Sequence, residues 1–563
     1  MIGVIANASE HAIVREFFEL FKTPWEFYWN DREYEVVLCT GSADIPPNAS
    51  KIVLIYLGQA LSTDTAEVIE SALDKSKRSL VYRGMRIPIY GKSIAFREGG
   101  TGVLVGEATG KAAMRRRETG SGAVIWVGYD LFAEVRALLA DGQPVAEAAI
   151  PTLELHISLL RELILAEGVQ LVEIPPVPNG YRFIACLTHD VDHPSIANHI
   201  WDHTIFGFLY RAVLGSTLDL FRSRISFRQL FGNWAAALRL PFVYMGLAND
   251  FWGGFADRYL GVEKGVPSTY FVIPFRDDPG TVSARPAAKR RAARYCAKEI
   301  ADTIQKIIAA GCEVGLHGID AWLDSARGVA EIEEIARLTG TKGLGVRTHW
   351  LYYDEQSPAV LEHAGARYDS TVGYSETVGY RSGTTQAYKP ANASRLLELP
   401  MHVMDTALFY PAYLNLSQRQ AAPLLERIVD DAMKFGGCIT INWHDRSLAP
   451  ERGWESCYRK LLENLKRRGA WFATCGQAIS WFQMRRAAVF ENEEADTNHV
   501  RAKVMVEGCD KLPGLRLRVY NRREPTESWK CELEDFVDFA LPHCIQSPTP
   551  TTWVDGCFPS NSN

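Results

Sequence analysis

The stretch FIACLTHDVDHP, Phe183 to Pro194, carries His189, Asp190, Asp192 and His193 straight after an apolar run. Alternate residues of an extended strand project to the same side, so Asp190 and Asp192 share a face. Carboxylates that close resist simultaneous ionisation unless a cation lies between them. One as metal ligand and the other as base is a sensible division. On this stretch alone, a solvated acidic turn is the plain alternative. Later segments add to it: EVGLHGIDAW ends an apolar run in His317, with Asp320 three residues on; GVRTHWLYYD supplies Arg347 and His349; CITINWHDRS supplies His444 and Asp445. A lone histidine before glycine is a common core or turn residue. Carboxylate, imidazole and guanidinium groups at matched ends of successive strands instead describe an assembled hydrolytic site.

The elements that must position these groups are legible in hydrophobic patterning. RFIACLTHD, STYFVIPF, CEVGLHG, LGVRTHW, ARYDSTVG, LLELPMHV, CITINWHD and AWFATCG read as buried strands, with helix-period segments such as AARYCAKEIADTIQKIIAAG and SQRQAAPLLERIVDDAMKFGG between several of them. Repeated βα units predict a parallel sheet, doubly wound or closed into a barrel. Chemistry gathers at the carboxyl ends of such strands, where Asp190, Asp192, His317, Arg347, His349, Asp369 and His444 fall. Residues 195–264 are too long for an ordinary βα loop and have helical character, which suits a lid or substrate wall. Within them, the aromatic-rich LFGNWAAALRLPFVYMGLANDFWGGF suits packing inside the protein better than a membrane surface or substrate groove, and no stretch reaches the roughly 18 uninterrupted apolar residues of a spanning helix.

Three regions follow. Residues 1–175 form an α/β domain of unassigned role, with IGVIA, YEVVLC, KIVLIYLG and GAVIWVGYDL as strands and TDTAEVIESALDKSKR as a helix. It contains no Walker loop and no GxGxxG, and the Gly-rich segment 97–115 reads as a hairpin with loops. IPTLELHISLLRELILAEG is an amphipathic helix, and the Pro/Gly-rich IPPVPNGYR after it marks the join. Residues 176–485 hold the barrel with its helical insertion 195–264. Residues 486–563 open on the acidic linker FENEEADTNHV, continue as a β-rich extension and end in a loose tail.

Composition bounds the rest. With 563 residues, 47% hydrophobic and 23% charged, the chain is globular and long enough for two or three domains. A net charge of -6, with no basic tract interleaved with aromatics, disfavours nucleic acid. Eleven scattered cysteines without a CxxC pair read as buried free thiols in a reducing compartment, the last four being able to pair only after export. The N-terminus has neither a basic n-region nor a long apolar h-region, so the expected location is cytoplasmic, with the inner membrane surface suggested by the aromatic insertion and peripheral membrane association as an open possibility. Composition fixes no oligomeric state.

The ordered set LTHDVD, STYFVI, EVGLHG, GVRTHW, YDST, LELP and TINWHD, over roughly residues 180–485, resembles the polysaccharide deacetylase (NodB-homology) family, the family four carbohydrate esterases. The resemblance implies a NodB-like distorted (β/α) barrel, preceded by the α/β domain and followed by the β-rich extension. It also implies a metal-dependent hydrolase, zinc or another divalent ion being the cofactor, that removes N-acetyl or O-acetyl groups from a carbohydrate, a polysaccharide or its precursor. By the same resemblance Asp190 matches the base, Asp192 and His317 metal ligands, Arg347 the arginine that orients the base, and His444 the general acid. The family's second metal-binding histidine would stand four residues after His317, where this chain has Ala321. The third ligand is then His349, with Asp320 as the alternative. A hydrolase of a non-sugar C–N amide bond and a non-catalytic glycan-binding relative are the rival readings.

Overall fold

The computed structural model describes residues 1–40, 49–58, 69–72, 79–96, 102–120, 122–222, 224–281, 288–492, 499–504, 511–521, 536–541 and 554–557. Its central element is an eight-stranded, all-parallel sheet. In chain order its strands are β1 (Phe183–Val191), β2 (Ser268–Val272), β3 (Glu313–Gly318), β4 (Gly345–Thr348), β5 (Tyr368–Asp369), β6 (Val403–Met404), β7 (Cys438–Asn442) and β8 (Ala470–Phe472). They lie in the order β5-β4-β3-β2-β1-β7-β6, with β8 beside the start of β1. Nearly every residue of these strands is buried, as continuous apolar runs in a parallel sheet require.

The sheet curls until its ends meet. Asp369 donates its N–H to Leu397 O at 3.0 Å and accepts from Leu399 N at 2.8 Å, while His402 N donates to Thr440 O at 3.0 Å. Residues 397–402 therefore connect β5 to β7 although only Val403–Met404 forms a regular strand there. Pro400 explains the shortfall against the expected strand LLELPMHV: it has no N–H to give the ladder. Helices cover the outside, burying Ile304, Ile335, Leu425 and Leu462 against Ala185, Leu187, Val272 and Leu316 of the sheet. Gly345 is required where it stands, because a Cβ there would enter the Tyr368 ring on β5.

The first region builds a six-stranded sheet in the order 114–119, 122–127, 49–56, 34–40, 2–5, 25–27, parallel except for the 114–119 strand. The helix expected over residues 63–78 is not borne out in its described part, since Ile69–Ala72 is a strand paired antiparallel with Ile94–Phe96; residues 59–68 and 73–78 lie outside the described residues. The expected helix is present as Thr152–Ala166, and it is buried on almost every side. It is the seam with the barrel: its Glu154 accepts from Thr384 Oγ1 at 2.6 Å, and nearby Arg486 pairs with Glu16 at 2.7 Å. The join itself is stitched from behind, where Val172–Glu173 pairs with Leu515–Tyr520 of the C-terminal extension.

Two expectations for the C-terminal region change. The acidic linker is flanked by paired strands, Ala488–Asn492 against His499–Val504, and the supposedly loose tail contributes Val554–Cys557 to the same sheet. Among the described residues the free thiols are Cys39, Cys186, Cys296, Cys312, Cys438, Cys457 and Cys475. The side chains of the last four cysteines fall outside the described residues.

The insertion is helical, as its composition predicts. Helix His203–Leu209 runs through a π segment, Tyr210–Gly215, into Ser216–Phe221, and is followed by Phe227–Tyr244 and Phe255–Glu263. Its aromatic residues, however, do not all pack inward. Phe221, Phe227, Phe231 and Phe242 are among many exposed side chains on its outer face.

Candidate active site

Strand β1 delivers Thr188, Asp190 and Asp192 to one side of the barrel at its carboxyl end, through the two-residue period of an extended chain. Arg347, fully buried on β4, reaches across to them. Its Nη1 donates to Asp190 Oδ1 at 3.0 Å and Thr188 Oγ1 at 2.7 Å, and its Nε and Nη2 donate to Ser370 O and Oγ at 2.9 and 3.0 Å. The other Asp190 oxygen accepts from Asn442 Nδ2 at 2.7 Å. Burial alone raises the pKa of Asp190, but the Arg347 charge, with His317 and His444, holds it below the usual carboxylate range.

On the far side of Asp192 stand two imidazoles. His317 at the end of β3 directs Nδ1 to the Arg347 carbonyl at 2.9 Å, and since a carbonyl only accepts, Nδ1 carries a proton and Nε2 is the nitrogen that faces the site. That Nε2 lies 3.3 Å from Asp192 Oδ1, and His349 Nδ1 lies 3.4 Å from the same oxygen and 3.0 Å from His317 Nε2. His349 follows β4, on a turn where Trp350 and Leu351 both take left-handed backbone angles, φ 64° and 53°. Such strain in non-glycine residues gathers where a side chain must be aimed. Asp192 Oδ1 is buried and, apart from these two imidazoles, has no hydrogen-bond partner among the described residues. Three converging donor atoms, one of them a carboxylate oxygen, form a group that could hold a metal ion.

Asp320, the alternative ligand, points elsewhere: it accepts from Thr281 N at 2.7 Å and lies 3.6 Å from Arg291 Nη1. Ala321 is fully buried in the apolar core beside Ile319 and Ile332, so the position four residues after His317 faces packing rather than the site.

His444 closes the constellation, its Nε2 3.8 Å from Asp192 Oδ2. Its orientation comes from a residue the sequence reading passed over, Asp405, which accepts from His444 Nδ1 at 2.6 Å and from its backbone N–H at 2.8 Å. Asp405 directly follows β6, so the strand-end rule that found the other groups also points to it. Burial would lower the His444 pKa, but Asp405, Asp192 and Asp190 push it up to about 10. Asp445 does not hold His444; it accepts from the backbone N–H of His193 at 2.7 Å.

The remaining polar residues separate from the site. His189 is a buried structural residue, bonded to Trp443 O at 2.8 Å and Glu263 Oε1 at 2.9 Å. His199 is buried and links His193 to Asp202, while His203 is exposed. Asp369 turns to Thr371 and a buried partner, Glu398, and burial raises the pKa of both carboxyls.

The fold and site together define a parallel β/α barrel with a carboxylate–imidazole–arginine centre at the carboxyl ends of its strands. No protein-family model and no curated protein matches the chain. Among solved structures it is similar to polysaccharide deacetylases at low identity. A Mycobacterium smegmatis protein assigned as a polysaccharide deacetylase matches at 19% identity over 55% of this chain and 95% of its own, with TM-score 0.33. A Pseudomonas aeruginosa protein assigned likewise matches at 14% identity over 55% and 94%, with TM-score 0.34. The PuuE allantoinase matches at 15% identity over 55% and 93%, with TM-score 0.33.

Proposed function

We propose that the protein is a metal-dependent hydrolase that removes N-acetyl or O-acetyl groups from a carbohydrate. The observation that carries this reading is the placement of Asp190, held by Arg347 and Asn442, beside the Asp192–His317–His349 group and near a His444 that is held by Asp405.

Asp192 Oδ1, His317 Nε2 and His349 Nδ1 would hold the ion. A divalent ion in such a site polarises the scissile carbonyl and lowers the pKa of water. Asp190, ionised and aimed by Arg347, accepts the proton of the attacking water. His444 keeps its Nδ1 toward Asp405 and presents Nε2–H to the leaving group, which departs as the neutral amine or alcohol once that proton is transferred. Burial of Asp190 and Arg347 excludes competing water from the base and strengthens their pairing.

The test is acetate release from N-acetylglucosamine oligomers and from O-acetylated xylan with zinc supplied. Asp190→Asn and His444→Ala are each expected to abolish release while the thermal unfolding curve stays that of a folded protein. Undiminished release in both variants would overturn the assignment. Release of ammonia without acetate would move the reading to a non-sugar amide.

A further inference from the structure

Beside the catalytic centre the barrel and its insertion bring together three arginines that form no ion pair among the described residues. Arg446 follows His444 by two residues, Arg452 lies in the same loop, and Arg211 comes from the π segment of the insertion. Arg446 Nη2 and Arg452 Nη2 donate to the same phenolic oxygen, Tyr410 Oη, at 3.3 and 2.8 Å. Arg452 also stacks on Tyr410 and Trp454, and Arg446 on Trp252.

Arg452 is only 5% exposed, and its Nε and Nη1 are buried without a hydrogen-bond partner among the described residues, as is the Nε of Arg211. Among the described residues no carboxylate lies within ion-pair distance of any of the three. The nearby Glu451 spends one oxygen on Trp252 Nε1 at 2.7 Å. The arginine charges make themselves felt locally: against its own burial, Tyr410 is drawn down to about 7 by Arg452, Arg446 and Arg211. Unpaired buried guanidinium groups are costly, and a bound anion with several oxygens relieves that cost through charge-assisted bonds. One carboxylate is matched by one bidentate arginine, whereas three arginines suit the terminal oxygens of a phosphoryl group.

The insertion that supplies Arg211 also carries two outward apolar stripes at helical spacing. Tyr210, Leu214 and Phe221 stand on the first helix, the last 82% exposed; Phe231, Leu238 and Phe242 stand on Phe227–Tyr244, with Leu238 75% exposed. The opposite faces are satisfied by a small core of their own, where Phe208, Ala212, Ala236 and Leu240 pack on Trp252 and Ala449. Between His203 and Leu247 there are five arginines and one aspartate, with no lysine or glutamate. His203–Phe221 is, by length and composition, apolar enough to cross a membrane, and Arg222 and Arg224 follow its C-terminal end. A basic, amphipathic, outwardly apolar helix pair is the pattern that seats in a bilayer interface.

We propose that Arg211, Arg446 and Arg452 form a subsite for the phosphoryl group of a membrane-anchored substrate, presented to the catalytic centre while the outer face of the insertion rests in the bilayer. This deepens the hydrolase reading, on which it rests, by naming the substrate class; its test measures binding alone, so it stands or falls apart from turnover. The full-length protein is floated with phosphatidylcholine vesicles containing phosphatidic acid, whose phosphate monoester is exposed, or phosphatidylserine at equal surface charge. Wild type is expected to bind the phosphatidic acid vesicles about tenfold more tightly. Arg446→Gln, and Arg452→Lys as the milder change at the buried position, should erase that preference. Leu238→Asp should weaken flotation on both compositions while the melting temperature stays unchanged. Equal binding to the two compositions, a preference that survives both arginine variants, or binding of inorganic phosphate in solution without any vesicle binding would overturn the proposal.

Discussion

Asp405 holds His444 by two bonds at once, accepting Nδ1–H at 2.6 Å and the backbone N–H at 2.8 Å, so ring and backbone turn as one unit toward Asp192. A histidine buried without such a partner would lose its proton at neutral pH. Here the carboxylates outweigh burial and keep the imidazolium. A general acid works below its pKa, and its contribution is lost as pH rises through that value. Asp405→Asn keeps the shape and removes the charge, so the alkaline limb of the kcat–pH profile should move to lower pH and turnover at neutral pH should fall about a hundredfold. An unmoved limb would place the acid elsewhere.

His349 is the preferred third ligand and Asp320 its alternative, and the two differ in what they contact: His349 lies beside Asp192 and His317, Asp320 beside Thr281 and Arg291. His349→Ala should lower zinc affinity by at least about a hundredfold, measured by competition with a chromophoric chelator, since even outer partners of a metal site contribute 10- to 100-fold. Asp320→Asn should leave affinity unchanged and lower the melting temperature, because it strips Arg291 and Thr281 of a buried acceptor.

The strand ends were legible because burial on both faces writes parallel strands as continuous apolar runs, and a polar residue closing such a run stands out. That is how Asp190, Asp192, His317, Arg347, His349 and His444 could be picked. Asp405 was hidden because Pro400 breaks the pattern of its strand, leaving only Val403–Met404 regular. Asn442 was hidden for the opposite reason, lying inside the apolar run of β7, although its spacing of two before His444 repeats that of Asp190 and Asp192. The exposed aromatic faces of the insertion were misread because hydrophobic periodicity tells that a helix has an apolar side but not what covers it.

His156, fully buried on Thr152–Ala166 with Nδ1 3.0 Å from Tyr129 Oη, makes the first domain acid-sensitive. Burial draws its pKa down to about 3 from an ordinary 6.5. Between those values the unfolded chain binds a proton that the folded one refuses, so stability falls as pH drops through that window, by an amount on the order of a few kcal/mol. His156→Gln should flatten the loss. Urea midpoints at pH 7 and pH 4.5 measure it, and parallel losses in the two proteins would refute it.

Arg347 ties three strands through one planar group, contacting Thr188 and Asp190 on β1 and Ser370 after β5 from its own place on β4. Lysine can replace its charge but not this fork, so Arg347→Lys should keep Asp190 ionised yet let it swing, lowering kcat with little change in KM. Arg347→Ala goes further and leaves a buried carboxylate uncompensated, which costs about 3–5 kcal/mol. Asp190 would then escape by taking up a proton, and residual activity should require higher pH than in the wild type. Adding Asp190→Asn to Arg347→Ala removes the stranded charge, so the double variant should recover much of the lost stability without regaining turnover. That non-additive recovery in a double-mutant cycle distinguishes an arginine whose task is to hold the base from one that merely packs beneath it; strictly additive losses would show that the two side chains do not depend on each other.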